Sequence, residues 1–355
     1  MAHRLATPGP NRHTFPPRRV DLTSSVPFGF LPCCKPVGMT SRDLVNHVQR
    51  QLRRETGLRR LKAGHTGTLD PLASGLIVVA VGPATRLTPW MLDHPKQYTG
   101  TFELGASSLS GDLEDGCRRH PELPLPDSED AIRSAARGFT GWMDQTPPAH
   151  SAIRIDGTRA FDRVRRGERV EMPTRRVWIE SVQLLSWQPP LMTIGVRCGS
   201  GTYLRTLGMD LARSLGTTAV MTELVRTRIG AFAVDDAVGP EDFVTEKPTP
   251  ENPEPILPSN LHQRLTSPAW ALTHLRRRLC ADNDARCVRN GIGIPGPVQP
   301  APRPLPPDLA RGSHGSSHET MADDVVALDS TDRLVAILRP KRSQWWPYRV
   351  FPESD

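Results

Sequence analysis

Asp70 lies in the segment Gly64-His65-Thr66-Gly67-Thr68-Leu69-Asp70-Pro71, just before the apolar run Leu76–Val81. Pro71 steers Asp70 away from helical backbone angles. The glycines let the backbone pass close to a ligand. A carboxylate on such a loop, next to a buried strand, is placed to act as a nucleophile. A solvated Asp-Pro turn uses the same residues, and side-chain chemistry alone favours that plainer reading.

A second chemical segment is Cys198-Gly199-Ser200-Gly201-Thr202-Tyr203-Leu204-Arg205. A strand, a G-x-G turn and a helix resemble a dinucleotide-binding element, but position 204 carries Leu204 where the third glycine is required. What remains is a helix start presenting Tyr203 and Arg205. An Arg buried beside a carboxylate holds it ionised and oriented; an ordinary surface Arg is the alternative. Tyr98 follows Lys96 on a segment with strand alternation. Its ring could stack on an extruded base or serve as a core tyrosine. Two basic runs, Arg53, Arg54, Arg59, Arg60 and Lys62, then Arg159, Arg163, Arg165, Arg166 and Arg169, read equally as phosphate contacts or solvated helix faces.

The elements that must carry these residues are legible in the pattern. Thr40 and Asp43 have capping-box spacing. Leu44, Val45, Val48 and Leu52 then repeat at helical spacing, and Gly57 can close the helix. Residues 63–75 read as a loop and Leu76–Val81 as a buried strand. Across 97–104, Tyr98, Gly100, Phe102 and Leu104 alternate with Gln97, Thr99, Thr101 and Glu103. Leu191–Cys198 is a strand leading to a helix with Leu204, Leu207, Leu211 and Leu215, closed by Gly216. Strands and helices mix without βαβ alternation, so the fold class is α+β with a mixed sheet.

The 355 residues fit about two domains. The expected division is a basic arm over 1–25, a catalytic domain over 26–258, and a small β-rich C-terminal domain over 259–355. A Pro-rich insertion over 295–318 interrupts the last; a second Pro-rich stretch covers 247–258. The strand-like DVVALD, RLVAILRP and WWPYRVF segments fall within 324–351.

A net charge of +7 and a pI near 9.4 point to a polyanionic partner, nucleic acid or an anionic surface. No apolar run approaches the roughly 20 residues of a membrane span. The first 25 residues lack the apolar core of a secretory signal, and their prolines oppose a transit-peptide helix. None of the six cysteines forms a C-x-x-C pair, so neither zinc nor a disulfide framework is expected. Reduced thiols fit a cytoplasmic protein.

Taken together, the segments resemble the TruB family of pseudouridine synthases. Lys35-Pro36-Val37-Gly38-Met39-Thr40-Ser41 is similar to that family's opening motif, and Gly64 through Gly75 matches its signature almost residue for residue. Gln145-Thr146-Pro147-Pro148 with Ser151, Ala152 and Gly157 resembles the central motif. Gly201-Thr202-Tyr203-Leu204-Arg205 and Leu224-Val225-Arg226-Thr227-Arg228 with Gly230 and Phe232 resemble the two late ones. Five motifs in order overturn the plainer reading of Asp70. The resemblance is strong over 28–258 and weaker beyond.

It implies a mixed, largely antiparallel sheet of the pseudouridine synthase fold crossed by a cleft; the small C-terminal domain is expected to be PUA-like or TruB-C-like. It implies cofactor-free and metal-free isomerisation of the T-loop uridine (position 55) of tRNA, by a monomer with no membrane partner. Asp70 would be the catalytic carboxylate, attacking C1′ or assisting a glycal intermediate. Lys35, His65, Tyr98, Tyr203, Arg205 and Leu224 would bind substrate. Among these, His65 would fill the space left by the flipped nucleotide or contact its neighbours, Tyr98 would stack on the base and take part in proton transfer, and Arg205 would pair with Asp70. Tyr203 and Leu224 would line the pocket. Cys34, Leu109, His150 and Arg154 depart from the family pattern. Two alternatives share the scaffold: a guide-RNA-dependent synthase subunit acting on ribosomal RNA, and a non-catalytic tRNA-binding or tRNA-folding protein.

Overall fold

A computed structural model describes residues 26–114, 116–151, 153–155, 157–239, 260–305 and 323–352. The basic arm, the 247–258 stretch and the 306–318 part of the second Pro-rich insertion lie outside the described residues.

The chain opens with β1 (Gly29–Lys35), α1 (Ser41–Thr56), β2 (Ala63–His65) and β3 (Ser74–Val81). Thr40 caps α1 as its spacing requires: its side chain accepts from the Asp43 N–H while Asp43 accepts from the Thr40 N–H, and Gly57 ends the helix at φ 69°. One face of α1 buries Leu44, Val45, Val48 and Leu52. The stretch expected as loop over 63–75 is shorter, because Ala63–His65 pairs antiparallel with Val79–Val81.

β3 is buried on both faces, which is why its apolar run does not alternate. Ile77, Val79 and Val81 join the core under α1. Leu76, Val78 and Ala80 join a second core on the other side, with Phe28, Phe30, Trp90 and Met91.

Next come α2 (Thr88–Leu92), β4 (Lys96–Leu104), the short pair β5 (Ala106–Ser107) and β6 (Arg118–Arg119), α3 (Glu129–Arg137) and β7 (Gly141–Gln145). A second short pair, β8 (Arg154–Ile155) and β9 (Thr158–Arg159), precedes α4 (Ala160–Arg165). Then follow β10 (Arg175–Gln188), β11 (Leu191–Cys198), α5 (Leu204–Ser214), β12 (Ala219–Ile229) and β13 (Phe232–Ala233). The main sheet runs β1-β3-β12-β4-β11-β10-β7, with β2 on β3 and β13 on β12. Its strand pairs are antiparallel except β3 with β12, where Gly75 stands opposite Arg226. The sheet is therefore mixed and largely antiparallel, as the resemblance implies.

α5 lies directly on β4. A Cβ on Gly208 would fall 2.0 Å from the Phe102 ring, so only glycine permits the contact. This fixes the start of α5 over the middle of the sheet.

The remaining chain forms α6 (Pro268–Ala271), β14 (Arg276–Leu279), α7 (Asp282–Arg289), β15 (Val325–Leu328), β16 (Leu334–Lys341) and β17 (Gln344–Val350). Its four strands make a separate sheet, β14-β15-β16-β17. Ala269, Leu272, Val326, Leu328, Ile337 and Phe351 share a core with Phe28, Phe30 and the second face of β3. Buried Asp324 accepts from Trp90 Nε1 at 2.9 Å and from Arg339 Nε at 2.7 Å, tying the two sheets together through α2.

Candidate active site

Five consecutive carbonyls in the Asp70 loop are held. Arg226 donates to Gly67 O and Thr68 O, both at 3.1 Å, and to Leu76 O at 2.7 Å. Ser41 Oγ donates to Leu69 O at 2.8 Å and accepts from the Leu69 N–H at 2.9 Å. Asp70 O accepts from the Ala73 N–H, and Pro71 O from the Gly38 N–H at 2.8 Å and from Lys35 Nζ at 3.3 Å. The loop carrying the carboxylate is thus rigid without belonging to a helix or strand.

The Asp70 side chain turns toward a cavity of about 370 Å³, in the range of about 300–1,000 Å³ that small-ligand sites occupy. Asp70, Tyr98, Tyr203, Arg205 and Leu224, all expected from the sequence, line it. They come from the loop before β3, from β4, from the start of α5 and from β12. The register explains the meeting: Arg226 stands opposite Tyr98 on one side and Gly75 on the other.

Arg205 Nη2 lies 3.1 Å from Asp70 Oδ2 and donates also to His150 O at 3.0 Å. Its Nη1 donates to Ser110 O at 2.8 Å and lies 3.2 Å from Asp112 Oδ2. The Arg205 side chain is 5% exposed, Asp112 1% and Asp70 40%. One buried cation therefore meets one buried and one half-open carboxylate. Asp112 is itself fixed by Ser110 Oγ at 2.6 Å and by the Glu114 N–H at 3.1 Å.

Tyr203 is set by Gln145, whose Oε1 accepts from the Tyr203 N–H at 2.7 Å and whose amide donates to Tyr203 O at 3.1 Å. The Arg175 guanidinium lies 4.8 Å from the Tyr203 ring centre. Burial pushes the Tyr98 phenol above its ordinary value, against the opposing Arg226 charge, so it stays protonated. The cavity wall holds four cations, Lys96, Arg175, Arg205 and Arg226, and one carboxylate, Asp70. Such a wall suits an electron-rich or anionic ligand.

Two expected residues lie elsewhere. Lys35 is outside the cavity and fully buried. Its ammonium donates to the carbonyls of Pro36, Met39 and Pro71, so it braces the Asp70 loop from behind rather than facing a ligand. Burial lowers its pKa to about 8. His65 ends β2 outside the cavity lining. Burial, followed by Arg42 and Arg226, holds its imidazole below the ordinary value and neutral.

A family profile described as the TruB family pseudouridylate synthase N-terminal domain matches residues 53–204. The chain is 45% identical over 339 residues to a tRNA pseudouridine synthase B of Rhodopirellula baltica, covering 93% of this chain and 96% of that protein. The chain belongs to the TruB family of pseudouridylate synthases. It is also 40% identical over 278 residues to the tRNA pseudouridine synthase B of Parasynechococcus marenigrum, covering 76% of this chain and 87% of that one. Among solved structures, one of a Cbf5-Nop10-Gar1 complex aligns with TM-score 0.62 at 23% identity, over 92% of this chain and 84% of that one. That likeness concerns the fold.

Within this TruB-family chain, the departures fall unevenly. The altered Gly105–Asp112 stretch keeps its Asp112, and through Ser110 and Asp112 it clasps Arg205. Leu109 stands 88% exposed. His150 contributes its carbonyl to Arg205, and Cys34 donates its N–H to Val238 O at 2.8 Å. The Arg154 side chain lies outside the described residues.

Arg226, Asp112, Lys96 and Arg175 are site residues that the sequence reading did not single out. Arg226 carried one signal: it shares a strand face with Leu224, two residues away. A register shift between Arg226 and Arg228 turns the next arginine out of that series, toward Ala231 O. Asp112, Lys96 and Arg175 carry no signal in spacing.

Proposed function

We propose that the protein isomerises uridine to pseudouridine in tRNA, at the T-loop uridine, with Asp70 as the carboxylate that acts at the ribose. The observation that carries this reading is the Arg205–Asp70 pair at 3.1 Å, opening onto a cavity that also holds Tyr98.

The reaction breaks the C1′–N1 bond, rotates the uracil, joins C5 to C1′ and releases the C5 proton. Asp70 serves by adding to C1′ or by assisting loss of the C2′ proton to a glycal. Arg205 pairs with the carboxylate and aims it. Tyr98, kept as a neutral phenol, has the flat face and the hydroxyl to hold an extruded base. Leu224 and Tyr203 line the cavity beside them. Preorganised charge and position supply the rate enhancement, in the way a fixed set of dipoles stabilises developing charge. The surrounding arginines fit the phosphates of a tRNA arm.

The test is tritium release from a [5-³H]uridine-labelled tRNA transcript with no guide RNA added, wild type beside Asp70→Asn. Release by wild type, and its loss by more than about 100-fold in the variant with tRNA binding retained, is the expected result. Turnover in Asp70→Asn would remove Asp70 from this role. Absence of release by wild type would turn the reading to guide-dependent catalysis or tRNA folding.

A further inference from the structure

Lys96 opens β4 two residues before Tyr98 and lines the same cavity, although only 5% of it is exposed. Its Nζ donates to Leu92 O and to Ser200 Oγ, both at 2.5 Å. Ser200 in turn donates to Leu92 O, so the hydroxyl is oriented with its lone pairs toward the ammonium. Among the described residues, no carboxylate comes within ion-pair distance of Lys96. On the facing strand β12, Arg226 acts on it as another cation.

A buried ammonium with neutral acceptors and a cationic neighbour is an arrangement that costs free energy until an anion arrives. It stands in the wall of a cavity proposed to receive uridine, on the same strand as the tyrosine proposed to hold the base. When the C1′–N1 bond breaks heterolytically, its electron pair stays with the uracil. The negative charge spreads over N1 and the two carbonyl oxygens. C1′ is meanwhile satisfied by Asp70 or by loss of the C2′ proton, and charge leaves the ring only when C5 rejoins C1′.

We propose that Lys96 is a catalytic residue of this isomerisation, meeting a carbonyl oxygen of the detached uracil anion and stabilising it while the ring turns. The proposal rests on the reading of the site as a uridine isomerase. Lys96 transfers no proton in this step; it acts as a fixed charge, as oxyanion-stabilising groups do.

The groups facing Lys96 are Arg226 on β12, Cys198 on β11, and Asp93 and His94 from the turn after α2. Burial, then Arg226, lowers Lys96 to about 7, with Cys198 and Asp93 opposing. In the free enzyme the charge is therefore lost as pH rises through neutrality.

The experiment compares wild type, Lys96→Met and Lys96→Arg in single-turnover reactions on two tRNA transcripts. One carries uridine, read by tritium release. The other carries 5-fluorouridine, whose ring is a more stable anion, read by loss of that nucleotide in nuclease digests. Lys96→Met is expected to slow the uridine reaction by about 100-fold or more, to slow the 5-fluorouridine reaction less, and to leave tRNA affinity within a few-fold. Lys96→Arg is expected to retain most of the rate and to abolish the fall of kcat/KM above about pH 7, because its charge does not titrate there. Equal slowing of both substrates, as a merely structural lysine would give, overturns the proposal. So does a Lys96→Met rate equal to wild type. If wild type itself releases no tritium, the functional reading fails instead.

Discussion

Arg205 Nη2 and Asp70 Oδ2 stand 3.1 Å apart across 135 residues of chain. Behind them Asp112, 1% exposed, lies 3.2 Å from the other guanidinium nitrogen. The buried pair neutralises Arg205 independently of Asp70. Asp70 is thereby free to change its bonding without leaving an uncompensated cation in the core.

That arrangement predicts the behaviour of Asp112→Asn. Removing one partner of a buried pair costs about 3–5 kcal/mol. The variant is expected to shift its urea midpoint down by a corresponding amount. Turnover should fall by at least about 10-fold, because Arg205 is no longer held toward Asp70. Wild-type turnover in a destabilised variant would show that Asp112 supports the fold alone.

Arg226 places three N–H groups on the carbonyls of Gly67, Thr68 and Leu76. Lysine presents one ammonium on a flexible stem and cannot reproduce that fork. Arg226→Lys is expected to lose about 3 kcal/mol or more of stability, at roughly 1.5–3 kcal/mol for each charged hydrogen bond forfeited. Tritium release by Arg226→Lys at a temperature where it is fully folded would report the loosened Asp70 loop as a lower rate. An undiminished rate would show that the loop holds its geometry without Arg226.

Gly75 has φ +99°, and a Cβ there would fall 2.4 Å from Arg226 O. Gly38 has φ +86° with open space around it. Gly75→Ala combines backbone strain with overpacking and is expected to cost about 3 kcal/mol or more. Gly38→Ala carries strain alone, about 1–2 kcal/mol. Thermal denaturation of both variants checks the order, and a smaller cost at Gly75 would contradict the close packing of β3 on β12.

His94 and His274 stack edge to face at 4.2 Å where the turn after α2 meets the C-terminal segment. Burial, then Lys96, lowers His94 to about 4, and burial holds His274 well below its ordinary value. As pH falls below 6.5 the unfolded chain takes up the proton first, so stability is lost between pH 6.5 and 4 and is fully present above 6.5. His94 accounts for about 3 kcal/mol of this, at 1.36 kcal/mol per pKa unit. Urea denaturation from pH 7 to 4.5 should show a steep decline that flattens in His94→Asn. An equal slope in both proteins would assign the acid sensitivity to other groups.

Much of the local structure follows from neighbouring residues. Thr40, Asp43 and Gly57 mark the ends of α1 because capping is a matter of residues three apart and of one left-handed position. The Tyr98–Leu104 alternation appears as β4 because side chains on a half-covered strand face water every second residue. Lys35 went the other way. Its motif resembles a substrate-facing one, but only the packing of β1 against the Asp70 loop buries the ammonium under three carbonyls.

The sequence by itself determined the α+β character, the boundaries of α1, β4 and β11, and the order of the motifs that carry Asp70, Tyr98, Tyr203 and Arg205. These depend on spacing, turn residues and residue type, all written along the chain. Only the tertiary structure decided that Arg226, Asp112 and Lys96 belong to the site. Each acquires its role from a partner more than 90 residues away: Thr68 for Arg226, Arg205 for Asp112 and Ser200 for Lys96. Burial then sets what their charges do, and burial is a property of the assembled sheet rather than of any segment.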